Sequence, residues 1–578
     1  MYAIVCMFHF FFLNKMNNII KTTTLTIGVV AILQSCNVSN KADGWARFDN
    51  FTYQGADDFY RDHPLPNENS FYNPILPGWY SDPSICTNGK GDYFLATSTF
   101  VYFPGVPLFH SRDLVNWTQI GHVLNRESQL QNLQSQHVSG GIFAPALAYN
   151  PHNETYYMIT TNVGAGNFFV KTKDPFSGEW SDPVYLPEVT GIDPSFFFDE
   201  DGSAYIVNND EPTYPAEYDG HRSIRIQRFD VEKECTFGPR PALIDKGCRP
   251  EEKPIWIEGP HMYKINGKYY LMDAEGGTSV NHSEVIFTAD SPMGPFIPWK
   301  NNPILTQRHL DPQRPNPITC AGHADLIQAA EGDWWAVFLA CRPIDGGFGY
   351  ENLGRETFIM PVRWTSDGYP IITEGDEIVS MICERKGVKV ESNARLGNFC
   401  YTDSFTTPTL APDWLSLRGA ATDKYQLSGG QLSLKCDTAR ATERCTPAML
   451  TRVLHHHKFV CTTDLTFNPK DTEEAGLILF KDERHHYYLT LSQCADQKVV
   501  KLHQVNGSDD VVVASEKVTN GQDTIKLRII SDGATFTFTF SVDGDKWTQV
   551  GNPLEARPLS TANAGGFTGT TIGLYAIK

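Results

Sequence analysis

The chain has 578 residues and a formal charge of −19, from 48 Lys+Arg against 67 Asp+Glu, a length that suits roughly three to four ordinary domains or fewer large β-rich ones. Apolar residues make up 41%, charged residues 20% and aromatics 12%, with 46 Gly and 36 Pro; this excludes disordered, collagen-like and coiled-coil chains and marks a turn-rich folded protein. The acidic balance, with no Lys/Arg-rich run, argues against nucleic acid as a partner.

The first 36 residues read as a leader. Lys15 and Lys21 stand ahead of the apolar run Ile27 to Leu33, the order of a signal peptide. Leu33-Gln34-Ser35-Cys36 resembles a bacterial lipobox, with Cys36 the lipidated new N-terminus and Met16 the start. The apolar run, which contains Gly28, is too short to span about 30 Å of hydrocarbon. The expected location is that of an exported bacterial lipoprotein, in the periplasm or at the cell surface, with the lipid as its only membrane contact. Thirteen cysteines follow no CxxC or metal-ligand spacing, and Cys235/Cys248 and Cys436/Cys445 are the pairs that could bridge.

Aromatic, β-branched segments then recur, each after a turn rich in Gly, Asp or Asn as a hairpin strand requires. They begin at Tyr93, Tyr156, Tyr205, Tyr269 and Trp334, spaced by 63, 49, 64 and 65 residues. Five such units predict a five-bladed β-propeller. A second pattern keeps step with the first: Asp82, Ala144, Asp193, Glu258 and His323 stand 11 or 12 residues ahead of those aromatics. Equivalent positions on five innermost strands form a ring, so the repeat predicts that these residues surround one axial pocket. After about residue 385 the pattern changes to alternating strands such as Gly476-Leu477-Ile478-Leu479-Phe480, which predict a β-sandwich. The predicted all-β organisation is a leader (1–36), a linker and lead-in (37–70), a propeller (71–385) and a C-terminal sandwich (386–578).

Three ring positions are acids. Asp82 lies in Ser81-Asp82-Pro83-Ser84 and Asp193 in Ile192-Asp193-Pro194-Ser195, where proline restricts the backbone behind the acid. Glu258 is followed by Gly259-Pro260-His261. A single Asp-Pro is an ordinary turn signal; three acids in register on separate blades point to chemistry. Such a set suits glycoside hydrolysis. One carboxylate takes a proton from water, one neutral carboxylic acid protonates the leaving oxygen, and a third negative charge keeps that acid protonated.

The motifs also carry a resemblance. Asn73-Pro74-Ile75-Leu76-Pro77-Gly78, the two Asp-Pro-Ser triplets, Gly141-Ile142-Phe143-Ala144-Pro145, Glu258-Gly259-Pro260-His261, Glu275-Gly276-Gly277-Thr278, Gly322-His323-Ala324-Asp325-Leu326 and Leu353-Gly354-Arg355-Glu356-Thr357 resemble glycoside hydrolase family 43. The branch is that of β-xylosidases and α-L-arabinofuranosidases. Tyr401-Thr402-Asp403-Ser404-Phe405 and Phe567-Thr568-Gly569 resemble the concanavalin-like sandwich that follows the propeller there. The resemblance implies Asp82 as general base, Glu258 as general acid and Asp193 as the acid that tunes and orients the donor. It implies inversion in a single displacement, with base and acid about 6.5 to 9.5 Å apart. Phe100 and Phe143 match sugar contacts or else pack the core, Thr278 is a further contact, and Arg355 is a sugar contact or else a blade-closing salt bridge; His323 matches a histidine that in some relatives helps anchor a hydrated calcium ion through water, with no cofactor required. The family often has Trp where Phe143 stands.

The expected function is therefore an exo-acting inverting hydrolase releasing terminal xylose or arabinofuranose from hemicellulose oligosaccharides or side chains. The alternative is a non-catalytic glycan-binding lipoprotein, which loss of an acid would have favoured. Trp79 is expected either under the pocket or at the sugar. The run His455-His456-His457 lacks spaced carboxylate partners and is expected to be solvated or strand-pairing.

Overall fold

The computed structural model describes residues 44–344, 350–519 and 522–578; the leader and Cys36 lie outside the described residues. Five antiparallel sheets follow one another along the chain. Blade I pairs Ser84–Thr87, Tyr93–Ala96, Gly105–Ser111 and Thr118–Leu124. Blade II begins with Ala146–Asn150 and Thr155–Asn162, blade III with Ile192–Phe198 and Ala204–Asp210, blade IV with Glu258–Ile265 and Lys268–Glu275, and blade V with Thr319–Gln328 and Trp334–Cys341. Each repeated aromatic thus heads the second strand of a blade. Those strands are buried along nearly their whole length, because neighbouring blades cover both faces, and so they read as continuous apolar runs.

The serines of the Asp-Pro-Ser triplets stitch blades together. Ser84 Oγ donates to Asp325 Oδ2 at 2.8 Å and accepts from the Leu147 amide at 2.9 Å. The Tyr263 hydroxyl donates to the other Asp325 oxygen at 2.7 Å, so blades I, IV and V meet at one carboxylate and blade II joins them through Ser84. Ser195 Oγ donates to the Pro260 carbonyl at 2.6 Å, joining blade III to blade IV.

The sandwich consists of a ten-stranded sheet against a six-stranded one. The segment expected as linker and lead-in supplies two strands of the larger sheet. Trp45–Phe48 pairs with Gln431–Lys435, and Phe51–Gly55 pairs with Cys400–Asp403 and Lys458–Thr466. The reason is alternation: Ala46, Phe48, Phe51 and Tyr53 are fully buried between the sheets. Ser70–Tyr72 then pairs with Ile382–Glu384, clasping the start of the propeller to its end.

The three histidines are neither solvated nor a metal site; they form a buried joint between sandwich and propeller. His455 Nδ1 meets the Pro77 carbonyl at 2.8 Å, His456 bridges the Tyr53 hydroxyl and the Gly397 carbonyl, and His457 Nε2 meets the Arg342 carbonyl at 3.0 Å. Arg342 itself binds Glu356 and, at 3.1 Å, Asp57. All eleven described cysteines are free, including both pairs that could have bridged.

Candidate active site

The five ring residues, Asp82, Ala144, Asp193, Glu258 and His323, all line a single cavity of about 530 Å³ on the propeller axis. Local backbone geometry aims them. Asp82, Asp193 and His323 adopt left-handed φ values of 55°, 52° and 53°, a conformation that non-glycine residues hold only when the surroundings impose it. Pairing of the first two strands shifts register between Ile192 and Ser195, between Glu258 and His261, and twice around His323. A bulge of this kind turns a side chain that would sit against the next blade toward the axis.

The acids have opposed environments. Burial alone would raise the Asp82 carboxyl, but the Arg355 charge and the hydrogen bond from Ser98 outweigh it, so Asp82 stays below the ordinary carboxylate range. Arg355 makes a two-pronged ion pair with it, and Ser98 Oγ donates to Oδ2 at 2.7 Å. Glu258 lies well above its ordinary range, pushed there by burial and then by the Asp193 charge. Asp193 is also raised, by burial and by Asp82, while the Gly259 amide partly offsets this. At neutral pH the cavity therefore holds an ionised Asp82 facing a strongly coupled pair that retains a proton. Burial lowers His323 to about 3, so its imidazole is neutral.

The remaining sequence candidates also line this cavity: Phe100, Phe143, Thr278 and Arg355. Phe100 and Phe143 meet edge to face at 5.9 Å. Arg355 leaves its buried Nε–H without a protein partner, a donor available to a hydroxyl in the cavity. Trp79 lies beneath, fully buried, with its ring 4.8 Å from Tyr102 and 6.3 Å from Phe100.

Two aromatic residues of the site escaped the sequence reading. Phe567 comes from the sandwich and completes the aromatic wall, stacked on Phe100 at 6.1 Å and 5.4 Å from the Arg355 guanidinium. Its motif was visible, but its entry into the propeller's pocket is a tertiary event. Trp256, two residues before Glu258, lines the same cavity; its left-handed φ of 52° gave no local signal such as glycine.

Calcium requires a cage of oxygen ligands. The Glu284 carboxylate beside the His323 segment accepts from the Ala324 amide at 2.9 Å, and among the described residues no three His, Cys, Asp or Glu side chains converge as a metal site. A calcium ion near His323 would be held through water rather than by direct ligation.

The profile of Glycosyl hydrolases family 43 matches residues 71–370, and that of the Beta xylosidase C-terminal Concanavalin A-like domain matches residues 402–578. A Butyrivibrio fibrisolvens protein described as a xylosidase/arabinosidase is 37% identical over 517 residues, spanning 87% of this chain and 95% of its own. A non-reducing end alpha-L-arabinofuranosidase of Bacteroides ovatus is 35% identical, spanning 88% and 92%. Among solved structures, a GH43_12 protein from a capybara gut metagenome superposes with a TM-score of 0.86 at 42% identity, over 92% of this chain and 99% of its own.

Proposed function

As this chain belongs to family 43 of the glycosyl hydrolases and is an exo-acting glycosidase, we propose that it releases terminal xylose or arabinofuranose from plant hemicellulose oligosaccharides or side chains, with inversion. The observation that carries this is the electrostatic division of one cavity. Asp82 is held ionised by Arg355 while burial and Asp193 hold a proton on Glu258. An ionised Asp82 takes a proton from water as its oxygen attacks the anomeric carbon, and Glu258 gives its proton to the departing glycosidic oxygen. Asp193 raises the proton affinity of the donor.

The aromatic wall supports a terminal mode of attack. Phe100, Phe143 and Phe567 close one side of the cavity, with Phe567 supplied by the sandwich, so a chain end fits where a continuous polymer does not. All three acids are in place, and nothing observed favours the non-catalytic glycan-binding alternative.

We infer export and anchoring through a lipid on Cys36 from Leu33-Gln34-Ser35-Cys36; the mass of the mature N-terminal peptide tests it. The catalytic reading is tested with aryl β-D-xylopyranoside and aryl α-L-arabinofuranoside, using wild type and Asp82→Ala. Turnover of either that vanishes in the variant supports it and names the pentose. Turnover that survives in Asp82→Ala, or intact xylan oligomers with wild type, contradicts it.

A further inference from the structure

We propose that Trp256, backed by Arg222, forms the subsite for the sugar that departs, so that this enzyme is built to cut between two sugars rather than to remove a pentose from a small alcohol. The inference rests on the hydrolase reading above. In that reaction the acid delivers its proton to the oxygen joining the two sugars, so the departing sugar lies on the Glu258 side. Trp256 stands two residues ahead of Glu258 and lines the cavity, with Ile255 beside it 40% exposed at the mouth.

The position is built rather than incidental. Among the non-glycine residues lining the cavity, Asp82, Phe100, Asp193, His323 and Trp256 share the left-handed backbone. Such strain is held only where the surroundings over-determine it. The Trp256 amide donates to the Gly220 carbonyl at 2.8 Å, and the Gly276 amide donates to the Ile255 carbonyl at 2.9 Å. The excursion between Asp210 and Ser223 folds against this segment, with the Tyr218 hydroxyl donating to the Pro254 carbonyl at 2.8 Å. It carries Arg222, whose guanidinium carbon lies 4.2 Å from the indole centroid and which pairs with Glu211.

The half-buried indole thus meets a cation on the excursion and borders the cavity. An indole presents a flat apolar surface suited to the C–H face of a sugar ring, and Arg222, itself paired with Glu211, stacks on the ring and holds it in place. Neither residue lies in the wall formed by Phe100, Phe143 and Phe567, which holds the sugar being released.

The test compares kcat/KM for a pentose disaccharide with kcat/KM for the methyl glycoside of the same pentose. The subsite predicts that this ratio falls by about tenfold or more in Trp256→Ala, mainly through KM for the disaccharide, and recovers in Trp256→Phe. Arg222→Met, which leaves the tryptophan backbone untouched, is expected to lower the ratio by about threefold and serves if Trp256→Ala does not fold. A ratio unchanged in Trp256→Ala, or in Arg222→Met where that variant stands in, overturns the subsite. A wild type that turns over neither compound overturns the hydrolase reading, and the subsite with it.

Discussion

Arg355 grips both oxygens of Asp82, Nη1 to Oδ1 at 3.1 Å and Nη2 to Oδ2 at 3.3 Å. The pair joins the first blade to the last and does more than close the ring. Burial raises the Asp82 carboxyl, and the guanidinium is the largest influence opposing it. A base must be ionised to act, so the acid limb of kcat/KM is set by this contact. Arg355→Met is expected to move that limb up by about one pH unit or more and to lower kcat/KM by about a hundredfold. The measurement is kcat/KM against pH for both proteins.

Asp193 acts in the opposite direction on Glu258. After burial, its charge is the next largest influence raising the donor. Removing it in Asp193→Asn is expected to lower the Glu258 pKa and shift the alkaline limb of the profile to lower pH, with the acid limb far less affected. An alkaline limb that stays in place would assign the donor elsewhere.

Glu258→Gln is expected to lower turnover of xylan oligomers by about 10² to 10⁴. It also carries a stability signature. A carboxyl raised in the folded state contributes stability below its ordinary value of 4.5 that is lost as pH rises. The glutamine variant lacks that loss, so its Tm relative to wild type is expected to climb as pH increases above 4.5. Thermal melts at a series of pH values read this directly.

The sandwich reaches the pocket through a loop that a buried cation helps to hold, alongside the bond from the Phe567 amide to Ser139 Oγ at 2.9 Å. Lys481, from Glu474–Asp482 of the six-stranded sheet, donates to the Thr568 carbonyl and, at 3.2 Å, to Thr561 Oγ1. Burial lowers its pKa to about 8, with Glu351 opposing. Lys481→Met is expected to raise KM several-fold by releasing Phe567 from the aromatic wall. Combined with Phe567→Ala, the two losses should not add, because both remove the same contact.

Much of this was legible in the amino-acid order because the propeller repeats itself. The aromatics at 93, 156, 205, 269 and 334 mark five second strands, and the residues 11 or 12 positions earlier converge on one axis. Repetition converts spacing along the chain into position in space. Some of what does not repeat was lost. Trp45–Phe48 and Phe51–Gly55 are too short to stand apart from a linker until their partners, hundreds of residues away, are known. The burial of His455, His456 and His457 depends on the domain joint and on no local pattern. Phe567 and Trp256 reach the cavity through long-range packing and a left-handed backbone, neither of which residue type discloses.

The joint at Asp325 offers a test of the fold itself. Its carboxylate accepts from Ser84 Oγ, the Ile85 amide and the Tyr263 hydroxyl. Asp325→Ala leaves three buried donors unpaired and is expected to cost about 2–4 kcal/mol. The Tm should fall by several degrees, whereas exposed Asp376→Ala should leave it unchanged.

The most direct measurement is proton NMR of the anomeric centre as the pentose is released, before mutarotation, by wild type and Asp82→Asn. An ionised base across from a protonated acid predicts the inverted anomer first, and no release above background in the variant. First appearance of the retained anomer, or release by Asp82→Asn at the wild-type rate, would contradict the account.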